Sequence, residues 1–211
     1  MAATKRKNMN PRIERKITRI SGVREVKQTF LIICEGVNTE PDYFNAFRLT
    51  SATVKAIGQG MGTLALVQKA INIKEQERPR GRTYNQNWVV FDKDDFPEND
   101  FNSAILSARQ NGFEVAYSNQ AFEFWFLLHF NLYQGALHRS RYEKMLSTLL
   151  GFAYTKKSGV SSKMFNALFL KQEQAIKHAK TIMKQFDGNN PAQQESSTTV
   201  YRLVEELNNF L

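Results

Sequence analysis

The chain has 211 residues, 42% of them hydrophobic and 23% charged, with one cysteine and a formal net charge of +9. That length and balance fit one full-sized soluble domain, with room for a small appendage. A single cysteine excludes an internal disulfide and a cysteine-based zinc site, which fits a reducing, cytoplasmic setting; no apolar run nears the ~20 residues of a membrane span, and the basic N-terminus lacks the apolar stretch of an export signal.

The charge is uneven. Residues 1–27 hold nine basic side chains and two acidic ones, a local +7 that leaves +2 for the remainder. Such an arm either contacts a phosphate backbone or is a solvated tail, and composition weighs the two equally. Lys5, Arg6 and Lys7 are its candidate nucleic-acid contacts, and a short helix is expected at 13–20 in an otherwise flexible segment.

From residue 29 the character changes. Thr29-Phe-Leu-Ile-Ile-Cys34 is a continuous apolar run, the pattern of a buried parallel strand. Asn38-Thr39-Glu40-Pro41-Asp42 opens a helix expected to reach about residue 47, with Thr39 as cap, Glu40 and Asp42 in the first turn and Pro41 tolerated there. A strand at 51–57, a Gly58-Gln-Gly60-Met-Gly62 turn and a helix at 63–77 follow. After a loop at 78–85, Asn87-Trp-Val-Val-Phe91 is another buried strand, ending in Asp92-Lys93-Asp94-Asp95. A helix near 100–110, a strand at 113–117 and an aromatic-rich buried helix at 122–130 come next. Segments 138–149, 162–186 and 199–210 then read as amphipathic helices, with a loop at 151–161. The expectation is an α/β core at 28–135, its sheet mainly parallel and flanked by helices, with a helical C-terminal region at 136–211 packed on it.

In a parallel α/β sheet, ligands bind beyond the C-terminal strand ends. Two such ends carry acids here: Glu35 after the first strand, and Asp92, Asp94 and Asp95 after a later one. Carboxylates brought to one edge repel one another unless a cation neutralises them. Mg²⁺ takes one or two carboxylates together with water and phosphate oxygens, and can activate a water against a phosphodiester. Glu35, Asp92 and Asp94 are therefore read as metal ligands, since an apolar strand delivers each to the same edge. Asp42 and Asp95 are read as helix-start and turn residues; for Glu40 a ligand and a helix-dipole role remain level.

Four ordered motifs carry a resemblance. Phe30-Leu-Ile-Ile-Cys-Glu35-Gly36-Val-Asn-Thr39-Glu40-Pro41-Asp42-Tyr43-Phe44, Val89-Val90-Phe91-Asp92-Lys93-Asp94, Ser118-Asn119 with Phe122-Glu123-Phe124-Trp125, and Asn190-Pro191 with Ser197-Thr198-Thr199-Val200-Tyr201 resemble the RloB family of bacterial proteins, from about residue 28 to the end. That family is similar to the abortive-infection protein AbiL and to the TOPRIM domains of OLD-family nucleases, and its members lie near restriction–modification and phage-defence genes. The resemblance implies a TOPRIM-like (Rossmann-like) core, Mg²⁺ or Mn²⁺ at Glu35, Asp92 and Asp94, and a second-metal position at Glu40. It also implies a further ligand or supporting role for Glu123, a phosphate contact or proton donor at His129, and an ATPase partner from a neighbouring gene. One departure stands out: where the family often has Pro before Phe-Glu, this chain has Gln120-Ala121.

Other residues are weighed singly. His129 among Trp125, Phe126 and Phe130 also fits a satisfied core histidine, and His138 and His178 read as surface residues. Cys34 lacks a paired histidine and reads as packing. The Gly58, Gly60 and Gly62 spacing is no dinucleotide fingerprint. Lys93 either meets a phosphate or points outward, and Lys144, Lys156, Lys157, Lys163 and Lys171 either track a backbone or are separately solvated. A metal-dependent nuclease acting on DNA or RNA in phage defence is the favoured reading; the alternative is a non-catalytic nucleic-acid- or partner-binding module. A phospho-receiver or a haloacid-dehalogenase phosphatase would need paired acids after the first strand, where only Glu35 stands.

Overall fold

Four apolar runs form the sheet of the computed structural model, which describes residues 27–156 and 160–211, the side chains of 160–162 excepted. The basic arm, with Lys5, Arg6, Lys7 and the helix expected at 13–20, lies outside the described residues. The strands are β1 (Gln28–Cys34), β2 (Ala52–Gly58), β3 (Gln86–Asp92) and β4 (Glu114–Ser118), all parallel, in the spatial order β2-β1-β3-β4. Parallel strands require crossovers, supplied by α1 (Thr39–Asn45), α2 (Thr63–Glu77) and α3 (Glu98–Gln110).

Strand alternation sends Leu31 and Ile33 into a core layer shared with α2 and α3 (Leu66, Ala70, Phe101, Ile105), while Phe30, Ile32 and Cys34 face the other side. There they meet α1 and the C-terminal helices α4 (Glu123–Leu127), α5 (Tyr142–Leu150), α6 (Val160–Leu168), α7 (Gln172–Met183) and α8 (Val200–Asn208). The result is a Rossmann-like α/β sheet with helices on both faces. Tyr43 sits edge-on to Phe44, Phe47, Phe122 and Phe126, so α1 and α4 share one aromatic cluster.

Three helical expectations change. Thr39 does not cap α1: Asn38 holds the N-cap position, without a side-chain bond, and Thr39 is the first helical residue. The helix expected at 122–130 is α-helical only over Glu123–Leu127, because burial on all sides leaves no periodicity to mark its ends. The span 162–186 is two helices broken by a 3₁₀ turn at Phe169–Lys171. The apolar stripe runs through the break, from Met164 and Leu168 to Ala175, Ala179 and Ile182, yet α6 packs on α1 while α7 packs on α4 and α8.

Two polar devices fix the edges. Glu77, 4% exposed at the end of α2, receives Lys55 (2.9 Å), Arg80 and Arg82 (3.2 Å each) and the Tyr84 hydroxyl (3.0 Å). At the other end of the sheet the 196–199 segment runs against the end of β4. Ser118 bridges Thr198 in antiparallel fashion, the Asn119 amide donates to Ser197 O (2.8 Å) and the Thr199 amide donates to Tyr117 O (2.8 Å).

Candidate active site

The crossover after β1 leads to β2 on one side, and that after β3 leads to β4 on the other. Their C-terminal ends therefore flank the switch point of the sheet, where a crevice opens. Glu35 and Asp92 stand there. The Glu35 amide extends the ladder to Val90 O (2.8 Å), and the Glu35 carboxylate accepts the Asp92 amide (2.9 Å). Asp92 in turn accepts the Phe122 amide (3.0 Å), pinning the turn before α4. Gln120 occupies the left-handed region (φ 96) in this turn, and its amide side chain bonds Glu195 and the Arg139 backbone. Side-chain bonds thus hold the turn in place of a proline ring.

Glu40 comes from the first turn of α1 and is 6% exposed. Its carboxylate lies over Gly36, where a Cβ would overlap it, so the glycine is a space requirement. A Cβ at Gly62 would likewise strike Phe96 and the Glu35 carboxylate, which places the glycine-rich turn against the site as a packing element. Glu123 is 2% exposed; its two oxygens take the Tyr154 hydroxyl (2.8 Å) and Lys156 Nζ (3.2 Å).

Glu35, Glu40, Asp92, Asp94 and Glu123 thus line one pocket of about 260 Å³ together with Lys156. Five carboxyls against one lysine is a strong excess of like charge. Burial, then Asp94 and Glu40, push the Glu35 carboxyl up to about 7 against the pull of the Asp92 amide. Burial and Glu123 push Glu40 up to about 7. Asp92 is raised well above the carboxylate range by burial and by the same neighbours. Burial works most strongly against the Lys156 charge, but Glu123, Asp92 and Glu40 together outweigh it and keep the ammonium ionised.

Asp94 sits at φ 43 and turns to Arg139, which bridges Asp94 and Asp95 from the 3₁₀ turn Arg139–Arg141 ahead of α5. This explains a second observation. Among the described residues no three His, Cys, Asp or Glu side chains converge closely enough to hold a metal ion. Glu35 and Asp92 each spend an oxygen on a backbone amide, Glu123 is taken by Tyr154 and Lys156, and Asp94 is drawn outward. The donor chemistry fits a hard divalent cation, all oxygen and strongly anionic.

Not every sequence candidate joins the pocket. His129 is fully buried, with Nδ1 on Trp125 O (2.9 Å) and its ring edge-on to Trp125, and burial lowers its pKa to about 3. It is a neutral core residue, which removes it from phosphate contact. Lys93 is half-buried and does not line the pocket. His178, expected at the surface, is half-buried on Leu128 O (2.8 Å). Tyr154 and Arg139 were not legible as site residues, and Lys156 was legible only as one of several surface lysines.

The fold and the pocket define the class: an α/β protein whose parallel sheet gathers acids at its switch point. The chain belongs to the RloB-like protein family, whose model matches residues 30–207. No curated protein and no solved structure matches it.

Proposed function

We propose that this RloB-like protein is a metal-dependent nuclease with a TOPRIM-type core, hydrolysing phosphodiesters of DNA or RNA in cytoplasmic phage defence. The observation that carries the reading is the excess of buried carboxyls at the switch point, five against one lysine. Such a cluster is poorly stable alone and is relieved by a cation. Glu35, Asp92, Asp94 and Glu40 would hold Mg²⁺ or Mn²⁺, which supplies polarisation of the phosphodiester and an activated water. Lys156, held 3.2 Å from Glu123, offsets charge on a phosphate in the pocket. Tyr154 orients Glu123 through a 2.8 Å hydrogen bond. The basic arm adds affinity for the backbone, and an ATPase from a neighbouring gene is the partner that the family resemblance suggests.

The test is cleavage of a labelled pool of DNA and RNA with Mg²⁺ or Mn²⁺, by the parent chain and by an Asp92→Asn, Asp94→Asn variant of matched circular dichroism. Cleavage by the parent alone supports the reading. Equal cleavage by both assigns the activity to a contaminant. Binding without cleavage, unchanged in the variant, favours a non-catalytic binding module.

A further inference from the structure

A groove of about 530 Å³ is lined by Tyr133, Ser140, Arg141, Lys144, Met145 and Leu149 among others. Its volume is that of a small-ligand site, and its chemistry is mixed in a particular way. Tyr133 and Met145 are half-buried and give an aromatic and apolar floor, while Arg141 and Lys144 are exposed cations at its rim. The Tyr133 hydroxyl accepts from Asn131 (3.2 Å), which holds the ring in place.

The groove and the acid pocket are joined by one short element. Arg139, Ser140 and Arg141 are consecutive in the 3₁₀ turn before α5, and at ~2 Å of rise per residue they are close neighbours. Arg139 pairs with the carboxylates of Asp94, which lines the pocket, and of Asp95, while Arg141 lines the groove. A guanidinium fork accepts paired carboxylate or phosphate oxygens alike. Arg139 therefore already holds two anionic groups, one of them a lining residue of the acid pocket.

We propose that the segment from Tyr133 to Leu149 is a subsite for an unpaired nucleic-acid strand leading out of the acid pocket. Arg139 passes from Asp94 and Asp95 to a backbone phosphate, Arg141 and Lys144 follow the next phosphates, and Tyr133 stacks on a base. The preference for a single strand follows from the floor. A duplex offers such a surface mainly its phosphates and leaves the ring and Met145 unused, whereas an unstacked base covers them. The inference deepens the nuclease reading and rests on it for the meaning of the pocket, but its test needs no turnover.

Full-length protein in EDTA is titrated into fluorescein-labelled single-stranded DNA, single-stranded RNA and a duplex of the same sequence, read by anisotropy at several salt concentrations. The parent is expected to prefer the single strands. Tyr133→Ala should weaken single-strand binding roughly five- to hundredfold, the range for loss of one base stack, with little change for duplex, and Tyr133→Phe should restore it. Arg141→Ala with Lys144→Ala should lower the single-strand salt slope by about 1.4, at ~0.7 per phosphate contact. A Lys177→Ala, Lys184→Ala control removes equal charge from α7 and its C-terminal cap, where both lysines are exposed, and should change the slope far less. Equal duplex and single-strand affinity, or an unaltered Tyr133→Ala variant, would overturn the subsite. Cleavage in Mg²⁺ is scored separately: selective binding without cleavage sinks the hydrolytic reading and leaves the subsite, and cleavage that ignores Tyr133 does the reverse.

Discussion

Glu40→Gln is expected to stabilise the protein in the absence of divalent ions, by a margin that grows as pH rises from about 4.5 to about 7 and is full above that. Glu40 is 6% exposed, and its carboxyl is lifted from 4.5 to about 7 by burial and by Glu123. At about 1.4 kcal/mol per pH unit, the charged form costs about 3–4 kcal/mol. The sign follows from proton counts. Between pH 4.5 and 7 the folded chain holds this proton while the unfolded chain has released it, so stability is full below about 4.5 and is lost as pH rises through about 7. Glutamine keeps an acceptor oxygen for the amides of Gly36 and Glu40 and removes the charge. At 2–4 °C per kcal/mol for a chain of this size, the variant should melt roughly 7–14 °C higher in EDTA at pH 8. Near pH 4.5 the gain should vanish. Thermal unfolding by circular dichroism reads both, and added Mg²⁺ should raise the parent more than the variant. A variant that melts lower at pH 8, or that changes equally at both pH values, refutes the claim that these carboxyls repel.

Gly36→Ala places a Cβ in the space of the Glu40 carboxylate; it should cost about 1–3 kcal/mol in urea unfolding and weaken Mn²⁺ binding measured by electron paramagnetic resonance. Arg139→Gln frees Asp94 and Asp95 from a part-exposed ion pair of about 0–1 kcal/mol, so Mn²⁺ should bind up to about fivefold tighter, and a weaker affinity would mean that Arg139 supports the pocket instead of competing for it. Tyr154→Phe strips a buried Glu123 oxygen of its donor, with an expected loss of about 1–3 kcal/mol in denaturant unfolding.

The central strands β1 and β3 were legible because each is an apolar run ending in acids, β2 because a glycine-rich turn follows it, and α2 occupies the expected residues 63–77. Glu35 and Asp92 were legible for the same reason: a buried strand leaves its last polar residue no place but the edge. The rest of the site comes from far along the chain. Tyr154 and Lys156 reach Glu123 across about thirty residues, and Arg139 reaches Asp94 across 45. No local periodicity records such a meeting. The Ser197-Thr198-Thr199 motif was legible only through the family resemblance; its burial and its bonds to Tyr117 and Asn119 show it bracing β4. His129 misled because its ring is as polar as a catalyst's, while its surroundings, visible only in three dimensions, leave it no solvent.

Asp92 shows why the choice of substitution decides what can be learned here. Its amide holds Glu35 and its carboxylate holds the Phe122 amide, so it joins β1, β3 and the turn carrying Glu123. Alanine would remove the charge and also release a buried amide, a loss of about 1–3 kcal/mol, and silence in such a variant would report on shape as much as on chemistry. Asparagine keeps an acceptor for Phe122 and sheds a charge that burial and the neighbouring acids disfavour. The Asp92→Asn chain should therefore be at least as stable as its parent in EDTA at pH 8 while cleaving nothing. Stability retained with cleavage intact would place the chemistry elsewhere, and stability lost would mean that the charge itself holds the strand ends together.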